Sequence, residues 1–198
     1  MASLPRLDAY LAALPGGLAA YPECQVKGTI VRMLVADRPV AVPAGALPPA
    51  LARLVDEPPM GSEWVSEVQA MGLLYALADV AELADEALII LSRDRDRRTF
   101  ESPAYRFLMA VATPGLLVRS AAARWSTFHR GSSLEVEGIA DDGVRVGLRF
   151  PRGVFDGLHL RCFAGAFMAA LELSNARSPS ADIIEAGPGY ARYKVAWE

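Results

Sequence analysis

The chain has 198 residues, a formal net charge of −3 and a pI near 5.5. Hydrophobic residues make up 53% and charged residues 22%, which sustains a packed core and excludes extensive disorder. The acidic balance speaks against a dedicated nucleic-acid binder, and no run approaches the ~18 apolar residues of a membrane-spanning candidate.

The length allows one large domain or two small ones. Cys24 and Cys162 are too few for a disulfide framework and lack metal-ligand spacing. They read as reduced, small apolar residues. The first 17 residues lack the basic start and apolar run of a signal peptide, so the expected location is the cytoplasm.

Taken in chain order, Leu7 to Leu14 has a short helical pattern stopped by Pro15-Gly16-Gly17. Val26 to Ala36 is a second helix, with Val26, Ile30, Val31 and Leu34 on one face. Prolines break the chain from Pro39 to Pro49, and a short helix follows from Ala50 to Val55. Ser62 is the expected N-cap of a helix reaching about Leu83. Ala84 to Leu91 forms another. The run Arg93-Asp94-Arg95-Asp96-Arg97-Arg98 reads as a solvated helix end or loop. Ser102-Pro103 and Thr113-Pro114 each carry a helix start signal, and the second helix runs to about Trp125 with a stop at Gly131.

The last 66 residues read as hairpin, helix, hairpin. Leu134 and Val136, then Val144, Val146, Leu148 and Phe150, alternate with polar or small residues around Asp141-Asp142-Gly143. Phe155 to Asn175 is an amphipathic helix with Asp156 as N-cap and Phe163, Ala166, Phe167, Ala170 and Leu171 as its apolar stripe. Ala181 to Trp197 is a second strand pair around Gly187-Pro188-Gly189. The expected fold class is therefore α+β. About six N-terminal helices pack on a C-terminal four-stranded antiparallel sheet of β-β-α-β-β order. Residues 1–24 form an N-terminal helical extension. Residues 25–198 form a single α+β domain, helical over 25–131 and ββαββ over 132–198.

Several features combine into a resemblance: Lys27-Gly28-Thr29 opening an early helix, Pro114 through Trp125, Gly131, the Phe-Ala-Gly-Ala-Phe helix, and the ending Tyr193-Lys194-Val195-Ala196-Trp197. Together they resemble a paralogous family of unknown function found largely in myxobacteria, similar in fold to haem-nitric-oxide-binding and 4-vinyl reductase domains. The resemblance covers roughly residues 25 to 198. It implies a sensor-like module, often dimeric, and no established activity. Haem sensors of that fold use a helix-borne axial histidine and a Tyr-x-Ser-x-Arg motif. The motif is missing here and only His129 and His159 exist. The clustered cysteines of the 4-vinyl reductase group are missing too, so no cofactor and no metal are expected.

No nucleophile elbow, Walker loop, dinucleotide fingerprint or zinc-protease motif is present, and no catalytic residue is assigned. The expected function is a non-catalytic sensory, ligand-binding or regulatory module with an apolar pocket between helices and sheet. Its lining would be Trp125, Phe128, Phe163, Phe167 and Trp197, with His129 and Arg130 anchoring an anionic group at the mouth. The ligand would be small and apolar or anionic. The alternative is a homodimeric protein-interaction scaffold, and a haem-binding gas sensor is a third reading.

Overall fold

The computed structural model describes residues 3–101, 113–140, 142–174 and 176–198. The helix expected from Ser102-Pro103 lies outside them. Seven α-helices and two antiparallel sheets are present among the described residues. None of these helices is long and apolar enough to cross a membrane.

Helix α1 (Pro5–Ala12) buries Leu7 and Tyr10 against α4 (Glu67–Val80). Leu4, Leu7, Tyr10 and Leu14 belong to the same hydrophobic core as the sheet residues. The segment before residue 25 is thus packed into the domain.

The helix expected over 26–36 begins only at Gly28: α2 spans Gly28–Ala36. The residues before it, Gln25–Lys27, form strand β1, which pairs antiparallel with β2 (Trp64–Ser66) and β3 (His129–Arg130). Strands of two or three residues carry no readable period, which is why the sequence pattern misses this small sheet. Pairing of β2 also moves the start of α4. Ser66, not Ser62, is its N-cap, and Ser66 Oγ accepts from the Gln69 amide at 3.3 Å. Gly28 sits where β1 turns into α2. A Cβ there would lie 2.2 Å from the Met60 carbonyl oxygen, so only glycine fits this close approach.

Helix α3 spans Pro49–Asp56. Helix α5 (Asp85–Phe100) continues straight through the Arg/Asp run. Ion pairs fasten that run on three sides: Arg93 to Glu172, Arg97 to Glu101, and Arg98 to Asp37. Helix α6 (Pro114–Phe128) starts with Thr113 accepting from the Leu116 amide, as its Thr-Pro signal predicts. Helix α7 (Gly157–Glu172) is capped by Asp156, which accepts from the amides of Leu158 and His159, both at 3.0 Å. Gly165 on α7 lies directly against Arg93 of α5, so the missing side chain lets the two helices approach.

Strands β4 (Ser133–Ala140), β5 (Gly143–Arg149), β6 (Ser180–Gly187) and β7 (Tyr190–Ala196) form the larger sheet in the order β4-β5-β7-β6. The fold is α+β, with helices mainly in the N-terminal part and a four-stranded antiparallel C-terminal sheet. Val144, Val146, Leu148, Ala191, Tyr193 and Val195 are buried on its inner face. Helix α6 lies along β4, and α7 lies along β6. The outer face is charged: Arg192 bridges Glu137 on β4 and Glu185 on β6. Both edge strands carry a bulge, between Val136 and Gly138 on β4 and between Ile183 and Glu185 on β6. Such bulges twist exposed edges away from strand addition.

Replacing Asp156 by Ala removes a cap contributing about 1 kcal/mol. It also removes the acceptor of the Tyr75 hydroxyl, which is left with His159 Nδ1 alone, for roughly 1 kcal/mol more. Urea unfolding of Asp156→Ala should therefore show a loss of about 2 kcal/mol at unchanged m-value.

Candidate functional site

Two acid–histidine pairs lie inside the domain. The first is at the junction of the small sheet with α4 and α6. Glu67, the first residue of α4, is fully buried, and its Oε2 lies 2.9 Å from His129 Nδ1. The Glu67 amide donates to the Cys24 carbonyl at 2.9 Å, which fixes the start of α4 to β1. The His129 ring stacks on Trp125, with centroids 3.8 Å apart and planes within 10°. Trp125 in turn donates its indole N–H to Ser132 Oγ at 3.0 Å and meets Phe163 edge-on at 5.7 Å. Glu67 Oε1 is buried with no hydrogen-bond partner among the described residues. Leaving such an atom unpaired is costly, so His129 is what holds this carboxylate in the core.

The second pair is in the first turn of α7. His159 is 2% exposed, and its Nδ1 lies 3.0 Å from the Tyr75 hydroxyl and 3.2 Å from Asp156 Oδ1. Tyr75 donates to that same Asp156 oxygen. The rings of Tyr75, Tyr10 and Phe155 surround the imidazole at 4.3, 5.5 and 6.4 Å. His159 Nε2 has no partner among the described residues. Partial burial alone would raise the Asp156 pKa. The hydrogen bond and charge of His159, together with the Tyr75 hydroxyl, outweigh it and hold the carboxyl well below its ordinary range.

The expected site residues fall into three places. Trp125, His129 and Phe163 touch one another at the seam between α6 and α7. Phe167, one turn further along α7, packs edge-on to Tyr193 at 5.3 Å. Trp197 lies over Gly115 at the opposite end of α6. Phe128 is half-buried at the end of α6. Arg130 is elsewhere: its guanidinium lies 3.9 Å from the centre of the Trp64 ring, and Lys27 Nζ lies 4.0 Å from the centre of that same ring. Successive strand residues point to opposite sides, so His129 and Arg130 cannot serve one pocket from β3. Two clefts open away from these residues. One of about 430 Å³ lies on the sheet between Ile139, Arg145, Ile184 and Lys194, and one of about 280 Å³ lies between Arg38 and Asp56.

Sequence reasoning passed over Glu67, Tyr75 and Tyr10. Glu67, Met71 and Tyr75 repeat at i, i+4 and i+8 on α4, so a lone carboxylate on an otherwise apolar helix face was the available signal. Burial and the nearby Glu67 push the Cys24 thiol up to about 12, and burial raises that of Cys162. Neither thiol is poised as a nucleophile. No group of three or more metal-ligating side chains forms among the described residues.

No family model matches the chain, and no curated protein matches it. Solved structures do. A Cs H-NOX carrying 4-cyano-L-phenylalanine superposes with a TM-score of 0.60 at 12% identity, covering 87% of this chain and 96% of that one. The Fe(II) unliganded H-NOX protein from K. algicida gives 0.58 at 12% identity over 87% and 96%. An oxygen-binding H-NOX domain related to soluble guanylate cyclases gives 0.59 at 12% identity over 87% and 95%. The chain therefore has the fold of H-NOX domains.

Haem, which the names of such neighbours imply, does not fit the two histidines of this chain. A haem ligand must present a ring nitrogen to a space as wide as a porphyrin. The free nitrogen of His159 is enclosed by aromatic rings within the core, and the His129 ring is covered by Trp125 and engaged by Glu67.

Two outcomes check this geometry. His129→Ala leaves the Glu67 carboxylate buried and alone, at a cost of about 3–5 kcal/mol. The double change Glu67→Leu with His129→Leu should recover most of it, as read by chemical denaturation. For Asp156, a native pKa below the unfolded one gives stability that is present above the ordinary carboxylate range and lost as pH falls below it. Asp156→Asn should flatten the acid limb of the stability–pH curve.

Proposed function

We propose that the chain is a non-catalytic sensory or regulatory module that takes a small apolar ligand in the seam between α6 and α7. The observation that carries this reading is the state of its large side chains. Trp125, Phe163 and Phe167 each pack against the core yet stay only partly buried. A seam lined by such rings offers apolar surface that a ligand would bury. The H-NOX fold of the solved neighbours supports a sensory role.

The seam also has a route to the rest of the molecule. A ligand that shifts Trp125 disturbs the stacked His129 ring, and His129 holds the buried carboxylate that begins α4.

The test is a titration with 1-anilinonaphthalene-8-sulfonate, a small apolar anion, read by its emission and by tryptophan quenching. Saturable binding is expected, and Phe163→Ala and Phe167→Ala should weaken it several-fold. Binding indifferent to both changes would remove the seam as the site. Phe167→Ala should lower stability by about 2 kcal/mol, less than the ~3–5 kcal/mol of a fully buried phenylalanine, because the ring is only partly buried.

A further inference from the structure

The cleft of about 280 Å³ opens where α2 and α3 end. One wall is a single face of α3, made by Ala52, Val55 and Asp56 at helical spacing. The other is the loop from Ala41 to Gly45. Leu47 is 5% exposed, and Val42, Ala52 and Val55 pack against the core, so the cleft has an apolar floor. Pro39, Pro43 and Pro48 each fix φ along the loop, and the Ala46 amide closes a turn onto the Pro43 carbonyl at 3.1 Å. The loop wall is therefore set before any ligand arrives, which lowers the ordering cost of binding.

Two unlike charges stand on the rim. Arg38 follows the end of α2, and Nη1 donates to the Val35 carbonyl. The rest of its guanidinium fork meets no acid among the described residues. Asp56 is the last residue of α3, and its carboxylate has neither ion pair nor hydrogen bond among the described residues. A helix C-terminus already carries partial negative charge, so an acid there is electrostatically misplaced. Arg53, in the same last turn, does not pair with it. The amides of Ala41, Val42, Ala44 and Gly45 donate to nothing among the described residues either. The cleft thus combines a cation and unused amides, an apolar floor, and an acid at the negative end of a helix.

We infer that this cleft binds a free α-amino acid with a short apolar side chain. The carboxylate of the ligand meets Arg38 and the loop amides. Its ammonium meets Asp56 at the end of α3, and its side chain lies on Val42, Leu47 and Val55. Each unpaired group on the rim complements one end of such a ligand, so the site selects for both charges at once. Ligand cavities run upward from about 300 Å³, and a volume at that lower end suits a molecule of this size. The site shares no residue with the seam between α6 and α7.

The test is isothermal titration calorimetry of the full chain with L-valine. Saturable binding is expected. N-acetyl-L-valine lacks the ammonium and L-valinamide lacks the carboxylate, and each should bind about tenfold more weakly or worse. Glycine, which leaves the floor uncovered, should bind several-fold more weakly. Arg38→Gln and Asp56→Asn should each weaken L-valine by about tenfold. Both residues are exposed, so thermal unfolding should hardly change. The two variants also assign the charges. Asp56→Asn should leave the weak affinity for N-acetyl-L-valine unaltered, and Arg38→Gln that for L-valinamide. No saturable heat with L-valine, equal affinity for all four probes, or L-valine binding indifferent to either variant would overturn the inference.

Discussion

A four-stranded sheet with one apolar face is wider than one helix can cover. Strands spaced about 4.8 Å apart place β4 and β6 some 14 Å from each other. Helices pack at about 8–10 Å, so two are needed side by side. Here α6 takes the β4 side and α7 the β6 side. That division creates the seam, and the seam is where the aromatic side chains remain half-covered. It also determines the layer order, with α5 stacked beyond α7 and the charged face of the sheet left to solvent.

The helical half is joined to this layered half by buried polar groups. Glu67 and His129 connect the start of α4 to the end of α6. Tyr75, Asp156 and His159 connect the middle of α4 to the start of α7. Tyr10 adds α1 by donating to the Val154 carbonyl at 3.0 Å. Each connection is directional, so each fixes an orientation that apolar packing alone would leave loose. The cost is that Glu67 Oε1 and His159 Nε2 are buried without partners among the described residues.

The parts of this fold that repeat over seven or more residues were legible in the sequence. Alternation in β4, β5 and β7, the Asp156 cap and the Thr113-Pro114 start all correspond to observed elements. The small sheet was not legible, because β1, β2 and β3 owe their existence to each other and not to local pattern. Ser62 looked like a cap for the same reason: nothing local says that Trp64–Ser66 is paired. The Arg/Asp run, read as a solvated helix end or loop, is the C-terminal part of α5; sequence alone left the two open because its partners Glu172 and Asp37 are distant. Of the aromatic residues expected in one site, Trp125 and Phe163 meet across α6 and α7, while Phe167 packs on Tyr193 and Trp197 lies over Gly115. Sequence reasoning placed Arg130 with them because neighbours in sequence seem neighbours in space, and a strand separates them.

Gly28 shows how little freedom this arrangement leaves. Its amide donates to Glu63, the next amide donates to Gly61, and the Met60 carbonyl fills the space where a side chain would begin. The loop so held runs directly into β2, and β2 runs into Glu67. One methyl group at position 28 would therefore be felt at a buried carboxylate nearly forty residues away. Evolutionary drift through this position is closed to every other amino acid unless the loop and the small sheet change in the same lineage.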